Sequence, residues 1–315
     1  MACKEEKIPA IDFTKPDLKP GTPQWESTKA QLIQALEECG CFEAIYDAKL
    51  PQGAQESMFA TAKEIFEFST ETKLKNASTK PLHGYFGRTP DLPSYESLCI
   101  TDMLHSGNVE AFANIFWPEG NPDFCNKVRS YTKTLVELDE MMKRMVLESV
   151  GAENHIDEFL KMSQYFLRFS HYEAAKGENT KNKLRPHTDG TFLAIIAQNQ
   201  VNGLQLMKKD GEWMEVNIAP NSFIVMAGDC LMAWTNGRIH SPVHKVATDE
   251  NIDRYSIPFS SIPKLGVTIE APKELVNEEH PLLFKPFEIL DLFGFFTSSA
   301  ATGSGVNAFK TYCGA

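Results

Sequence analysis

Three residues of this 315-residue chain have the types and spacing to hold a transition metal. His187 and Asp189 stand in Arg185-Pro-His-Thr-Asp-Gly190, and His244 in Ser241-Pro-Val-His-Lys245. Two imidazoles and one carboxylate cover one face of an iron(II) ion and leave the other open for a co-substrate and O₂. Ten residues past His244 comes Arg254-Tyr-Ser256. A planar guanidinium fork beside a hydroxyl suits a carboxylate, which it grips through paired charge-assisted hydrogen bonds. One stretch of chain thus offers a metal site and a carboxylate site. The same donor set also admits zinc, and with it hydrolysis.

A His-x-Asp string is short enough to recur by chance, so its setting decides. Phe192-Leu-Ala-Ile-Ile-Ala197 reads as a buried strand directly after the first pair. The turn Gly228-Asp229, the apolar run Cys230–Trp234 and the Asn236-Gly237 dipeptide precede His244. Asn-Gly between two strand-like runs predicts a hairpin. The three residues are therefore expected at strand ends, on a framework stiff enough to fix their geometry. Asp229, at the turn, is expected to be solvated. His171 and His240 are not expected as ligands. Strand neighbours face opposite sides, so His171 points away from Tyr172. The four-residue step from His240 to His244 brings side chains together only on a helix.

The elements around the triad follow from pattern. Helices are predicted over 22–39, with Thr22 as cap, Pro23 at its start and Gly40 at its end, and over 51–69 and 122–150. The last carries an apolar stripe from Val128 to Val146, read as packing. Residues 70–108, rich in Ser, Thr, Pro and Gly, read as a long lid-like loop. After Ser163 short strand-like runs recur at 164–172, 191–198, 203–207, 212–217, 222–227, 230–235, 242–248, 254–260 and 266–270, and 286–296 reads as a final helix. This predicts a mainly β fold with flanking helices and a double-stranded β-helix, or jelly-roll, core. We divide it into a helical N-terminal region 1–160 packed on the core, a catalytic core 161–270, and a helix and tail 271–315 covering the site.

Hydrophobic residues make up 42% of the chain, enough for a core, and no apolar stretch reaches the roughly 20 residues of a membrane span. The net charge of −11 disfavours nucleic acid and anionic membrane surfaces, and favours a neutral or weakly charged small molecule. The polar N-terminus and seven scattered cysteines without a Cys-x-x-Cys suggest reduced thiols in a cytoplasmic protein, expected to be a monomer.

Further motifs now fall into one order: Ile8-Pro-Ala-Ile-Asp-Phe13, Ala35–Phe42, Gly203-Leu-Gln-Leu206, Gly228-Asp229, Ser241–Val246 and Arg254-Tyr-Ser256, with the two ligand histidines 57 residues apart. The chain resembles the plant iron(II)/2-oxoglutarate-dependent dioxygenases over nearly its whole length. Asn199–Gln205 is most similar to the alkenyl-glucosinolate-forming and lignan ring-closing branch. The resemblance implies that His187, Asp189 and His244 bind Fe(II), and that Arg254, Ser256 and Tyr172 bind 2-oxoglutarate. It further implies O₂ as second co-substrate and ascorbate as reductant. The reaction would be hydroxylation, desaturation, ring closure or demethylation of a small specialised metabolite or hormone, with an aromatic ring expected. It places Arg168, Ser260 and Ile262 at substrate-contact positions, with Tyr85, Phe86, Phe295 and Phe296 as further wall candidates. Where the family commonly has Asn two residues before the Tyr, this chain has Ser170, and a charged run, Glu173–Lys183, replaces a Pro-rich stretch. A same-fold oxidase that does not use 2-oxoglutarate, and a non-catalytic small-molecule binding protein, are the competing readings.

Overall fold

A computed structural model describes residues 7–174, 183–208, 210–247, 252–298 and 305–314. Cys3 and most of the charged 173–183 run lie outside them. The chain opens with β1 (Ala10–Asp12), α1 (Pro23–Glu38) and β2 (Cys41–Ile45). Thr22 caps α1 by accepting from Trp25 N, and Pro23 occupies the first turn, where no donor is needed. Helices α2 (Ala54–Glu67) and α3 (Thr70–Lys73), strand β3 (Tyr95–Ile100) and helix α4 (Asn108–Phe116) follow. The 70–108 segment is thus less of a loop than its composition suggests. Its far end is a buried strand paired along β4, and Asn76 bonds both backbone groups of Cys99 to clamp the segment's start.

The long helix α5 (Pro122–Ser149) and α6 (Ile156–Lys161) lead into β4 (Ser163–Tyr172), β5 (Lys183–His187), β6 (Leu193–Gln198), β7 (Leu204–Met207), β8 (Trp213–Glu215) and β9 (Phe223–Ala227). Helix α7 (Asp229–Trp234), β10 (His244–Ala247), β11 (Arg254–Pro263) and α8 (Ile289–Phe296) complete the site-bearing part. The apolar run after Gly228 is therefore a helix and not the expected first arm of a hairpin. A short apolar run does not distinguish the two; here bonds from Met232 N to Gly228 O and Thr235 N to Leu231 O close helical turns. Asn236 and Gly237, both at positive φ, end that helix.

Two sheets form the core. The larger runs β1-β2-β9-β6-β11-β4-β3 and the smaller β5-β10-β7-β8. Strand alternation sorts the larger sheet's side chains. Leu167, Phe169, Ile257 and Phe259 pack against Leu135 and Met142 of α5. On the other face Ala194, Ile196 and Met226 meet Leu204, Leu206 and Val246 of the smaller sheet. This is the jelly roll, with a helical layer outside and a lined interior between its sheets. A buried polar cluster ties α5 to the sheet: Lys143 Nζ lies 2.7 Å from Asp139, which also accepts from Tyr165 (3.1 Å) and Ser261 (2.7 Å). Cys41, Cys99, Cys125, Cys230 and Cys313 are free and buried, whereas Cys39 is disulfide-bonded, which corrects the expectation of seven reduced thiols.

Candidate active site

Strands β5 and β10 run antiparallel with His187 directly opposite His244. Cross-strand neighbours approach within about 5 Å at Cβ, and the two imidazoles lie 4.2 Å apart, centre to centre. Asp189 sits two residues past the end of β5. Its Oδ1 is 3.6 Å from His187 Nε2 and 3.8 Å from His244 Nε2. One ligand atom from each residue lies within 4.8 Å of the others, the one such His/Cys/Asp/Glu group among the described residues. Each Nδ1 is turned to a backbone carbonyl, Arg185 O at 2.7 Å and Pro242 O at 3.3 Å, which leaves the Nε2 atoms toward Asp189. Burial, then the neighbouring His187, push His244 down to about 4, so its imidazole is neutral and can offer a lone pair.

Asp229 is not solvated as expected but fully buried behind this group. Thr188 Oγ1 donates to its Oδ2 at 2.8 Å, and its backbone N–H to Asp189 O at 2.7 Å. Burial pushes its carboxyl up to about 7 against the hydrogen bonds from Ser241 and Thr188. The turn is tight enough to require Gly228: a Cβ there would stand 2.4 Å from Thr191 O and 2.7 Å from Asp189 O.

A cavity of about 790 Å³ opens over the triad, within the size range of small-molecule sites. Every second residue of β4 from Phe166 to Tyr172, and of β11 from Arg254 to Ile262, faces it. Arg254, 2% exposed, reaches its inner end. Nη2 donates to Gln198 Oε1 at 3.2 Å, and the Tyr172 ring lies 5.0 Å from Cζ. Nε and Nη1 are buried without a hydrogen-bond partner among the described residues. Burial pulls the guanidinium's pKa down from its ordinary value. A desolvated cation with unused donors fits a group that supplies a carboxylate, and buried Ser256 lines the same wall. Gly203 lets the chain pass close beside this arginine, since a Cβ there would stand 2.8 Å from Ala247 O and 3.3 Å from Arg254 Cδ. The donor set and the cavity therefore fit iron(II) and 2-oxoglutarate.

Arg168, Ser260, Ile262, Tyr85, Phe86 and Phe296 all lie in the cavity wall. Phe295 does not: it packs on Tyr312 at 5.3 Å. The ring that joins Phe296 is Phe293, one helical turn earlier, and that i, i+3 spacing was the legible signal. Gln198 and His83 carry no signal in the sequence, because only strand pairing and loop folding bring them to Arg254 and Phe166. Ser170 lines the cavity and lies 3.4 Å from the Tyr95 hydroxyl. His171 is on the opposite face of β4, stacked on Tyr255 at 4.6 Å and 3.6 Å from Glu96.

Residues 162–263 match the 2OG-Fe(II) oxygenase superfamily, and residues 8–120 match the N-terminal region described as non-haem dioxygenase in morphine synthesis. The probable 2-oxoglutarate-dependent dioxygenase AOP1.2 of Arabidopsis thaliana is 41% identical over 97% of this chain and 96% of its own length. The chain belongs to the 2OG-Fe(II) oxygenase superfamily. The 2-oxoglutarate-dependent dioxygenase AOP3 of the same plant is 30% identical over the whole chain and 99% of its own length. Among solved structures, dioxygenase for auxin oxidation 1 from Arabidopsis, in a complex with 2-oxoglutarate, superposes with TM-score 0.77 at 27% identity, over 87% of this chain and 99% of that one. The rice dioxygenase for auxin oxidation gives 0.78 at 28%, over 95% and 97%. This chain is accordingly a 2-oxoglutarate-dependent dioxygenase with iron(II) and 2-oxoglutarate as cofactor and co-substrate, and the oxidase without 2-oxoglutarate is not favoured. No helix among the described residues is long and apolar enough to cross a membrane.

Proposed function

We propose that this dioxygenase oxidises a small, ring-bearing plant metabolite or hormone, with His187, Asp189 and His244 holding iron(II), and Arg254, Ser256 and Tyr172 holding 2-oxoglutarate. The observation that carries the assignment is Arg254: a buried guanidinium with two unpartnered donor atoms, in the same cavity as the His-Asp-His group. When bound, iron(II) and 2-oxoglutarate together supply the activation of O₂ that attacks an unreactive C–H bond. The protein's own residues do the rest. Arg254 pairs with the distal carboxylate, and the Ser256 hydroxyl completes its hydrogen bonds. Tyr172, whose ring lies 5.0 Å from the guanidinium carbon, would donate its hydroxyl to the 2-oxoglutarate carboxylate. Phe293, Phe296 and Phe86 supply apolar walls that suit a ring. Names of relatives that refer to auxin oxidation support a small-molecule substrate.

Residues 161–270 are read as the catalytic core, with 1–160 packed on it and 271–315 covering the site; α8 contributes Phe293 and Phe296 to the wall. A cytoplasmic monomer belongs to the same reading. Among the described residues, five free buried thiols support a reducing compartment, against the disulfide at Cys39. His187→Ala, Asp189→Ala and His244→Ala should each abolish iron-dependent succinate formation while keeping the wild-type circular dichroism. His171→Ala should retain iron. Wild-type iron affinity in His244→Ala would overturn the ligand assignment.

A further inference from the structure

One short segment grips Arg254 from both sides, and neither the metal nor the carboxylate chemistry accounts for it. It overlaps Asn199–Gln205, the stretch that most resembles one branch of the family. Asn199 donates its backbone N–H to Tyr255 O at 3.1 Å, accepts from Tyr255 N at 2.9 Å and donates its side-chain amide to Asp253 O at 3.1 Å. The residues before and after Arg254 are thereby fixed. At the segment's far end Ala247 N donates to Gly203 O at 2.8 Å, where a Cβ would stand 2.8 Å from Ala247 O. Beside this clamp is Gln198, 7% exposed at the end of β6. Its Oε1 accepts from Arg254 Nη2 at 3.2 Å, and its Nε2 donates to Asn202 Oδ1 at 3.3 Å.

An amide can turn either its oxygen or its nitrogen to a neighbour. Asn202 decides here: with Nε2 committed to the Asn202 oxygen, Gln198 presents Oε1 to the guanidinium. A guanidinium is planar and carries five N–H donors. Gln198 takes one, and the Tyr172 ring lies 5.0 Å from Cζ. These two contacts fix the plane, and with it the direction of the unused donors on Nε and Nη1. The orienting partner is neutral, and among the described residues no carboxylate pairs with Arg254. The whole positive charge is left for a ligand, whereas a carboxylate at position 198 would neutralise it.

The function proposed above puts the other end of 2-oxoglutarate on the metal held by His187, Asp189 and His244. The two histidines stand on β5 and β10 of the smaller sheet, and Arg254 on β11 of the larger. A diacid that must reach both points is measured by the distance between them, provided that the guanidinium holds still. We infer that Gln198, oriented by Asn202, is a positioning residue that sets the reach of Arg254. It thereby selects a 2-oxo diacid of the length of 2-oxoglutarate over one a methylene shorter or longer. This rests on the assignment of Arg254 to 2-oxoglutarate made above.

The test is calorimetry on the full chain loaded with iron(II) under argon. It is titrated with 2-oxoglutarate, with oxaloacetate, one methylene shorter, and with 2-oxoadipate, one longer. The wild type should prefer 2-oxoglutarate to either by about tenfold or more, the discrimination a fixed site shows toward one methylene. Gln198→Met keeps the side chain's length and removes the acceptor. It should weaken 2-oxoglutarate binding about three- to tenfold and bring the preference over 2-oxoadipate to within about threefold. Gln198→Glu should melt no lower than the wild type, because it pairs with Arg254, yet bind 2-oxoglutarate at least as weakly as Gln198→Met. A merely structural role would move melting and affinity together and leave the length preference intact. Asn202→Ala should lower that preference to a smaller extent. If Gln198→Met does not fold, Gln198→Glu and Asn202→Ala decide. A wild type without the preference, a preference that survives Gln198→Met, or wild-type affinity in Gln198→Glu would overturn the inference. Arg254→Ala separates the two levels. If it binds 2-oxoglutarate as the wild type does, the assignment of Arg254 falls and this inference with it. If it loses binding while Gln198→Met keeps the preference, only this inference falls.

Discussion

Replacing Gly228 by Ala would put one methyl group against the loop that carries Asp189. The backbone there, φ −113 and ψ 176, is open to any residue, so the obstacle is space alone. The new Cβ would stand 2.4 Å from both Thr191 O and Thr191 Oγ1, and 2.7 Å from Asp189 O. Comfortable heavy-atom contacts lie at about 3.5 Å, so the strands must part by on the order of 1 Å. Three bonds cross that gap: Asp229 N to Asp189 O (2.7 Å), Cys230 N to Thr191 O (3.1 Å) and Gly228 N to Phe192 O (3.0 Å). Weakening them at about 1 kcal/mol each, with overpacking of about 1–3 kcal/mol, gives a loss of about 4–6 kcal/mol. Displacing Asp189 by that much should cost about a hundredfold in turnover. Differential scanning calorimetry should find melting lowered by roughly 5–10 °C, with weaker iron(II) binding and succinate formation reduced about a hundredfold. Gly294→Ala is the control, since a Cβ there meets nothing within 4 Å and the site lies inside α8. It should gain about 0.5–1 kcal/mol. If Gly228→Ala kept wild-type melting and turnover, the rigid backing of Asp189 would be refuted.

Arg254→Ala should raise the KM for 2-oxoglutarate about ten- to a hundredfold, and Arg254→Lys should also raise it, because an ammonium lacks the fork; an unchanged KM removes the assignment. Ser256→Ala and Tyr172→Phe should each cost less, about 1 kcal/mol of 2-oxoglutarate binding by calorimetry. Burial pushes the Glu96 carboxyl up, but hydrogen bonds with His171, Lys73 and Tyr85 outweigh it and hold the group down at about 2, below its ordinary 4.5. A depressed carboxylate stabilises the fold above its unfolded pKa and loses that contribution as pH falls. Urea midpoints should therefore drop between about pH 4.5 and 2, and Glu96→Gln should flatten that slope; an equal slope in the variant would count against the cluster.

Net charge and the charge of this cavity's lining differ in sign. The chain carries −11, whereas the wall carries four Lys and Arg side chains and one acid. Exposed charges more than a Debye length away, about 8–10 Å, are largely screened, so the sign at a half-enclosed site is set by the few groups that line it.

The sequence by itself determined what depends on short-range chemistry. The His-x-Asp string, the second His and the Arg-x-Ser pair read as a metal and carboxylate site because ligand type and local spacing carry that information. The α5 stripe and the strand alternation did likewise, since period alone tells which face is apolar. Tertiary structure decided what depends on partners far along the chain. Asp229 looks like a solvated turn residue until Thr188 and the Asp189 loop close over it. The 230–234 run is helical because its own backbone bonds close turns inside the core, a choice an apolar run leaves open. Phe293 and not Phe295 meets the cavity because α8 is rotated that way against Gly190, where a Cβ would lie 2.7 Å from Phe293 Cε1. Arg168, read as a contact on resemblance alone, is held in the wall by Ser97, 71 residues away, and by Leu82, 86 away. Such pairings cost loop-closure entropy that only the assembled core offsets, so no local pattern announces them.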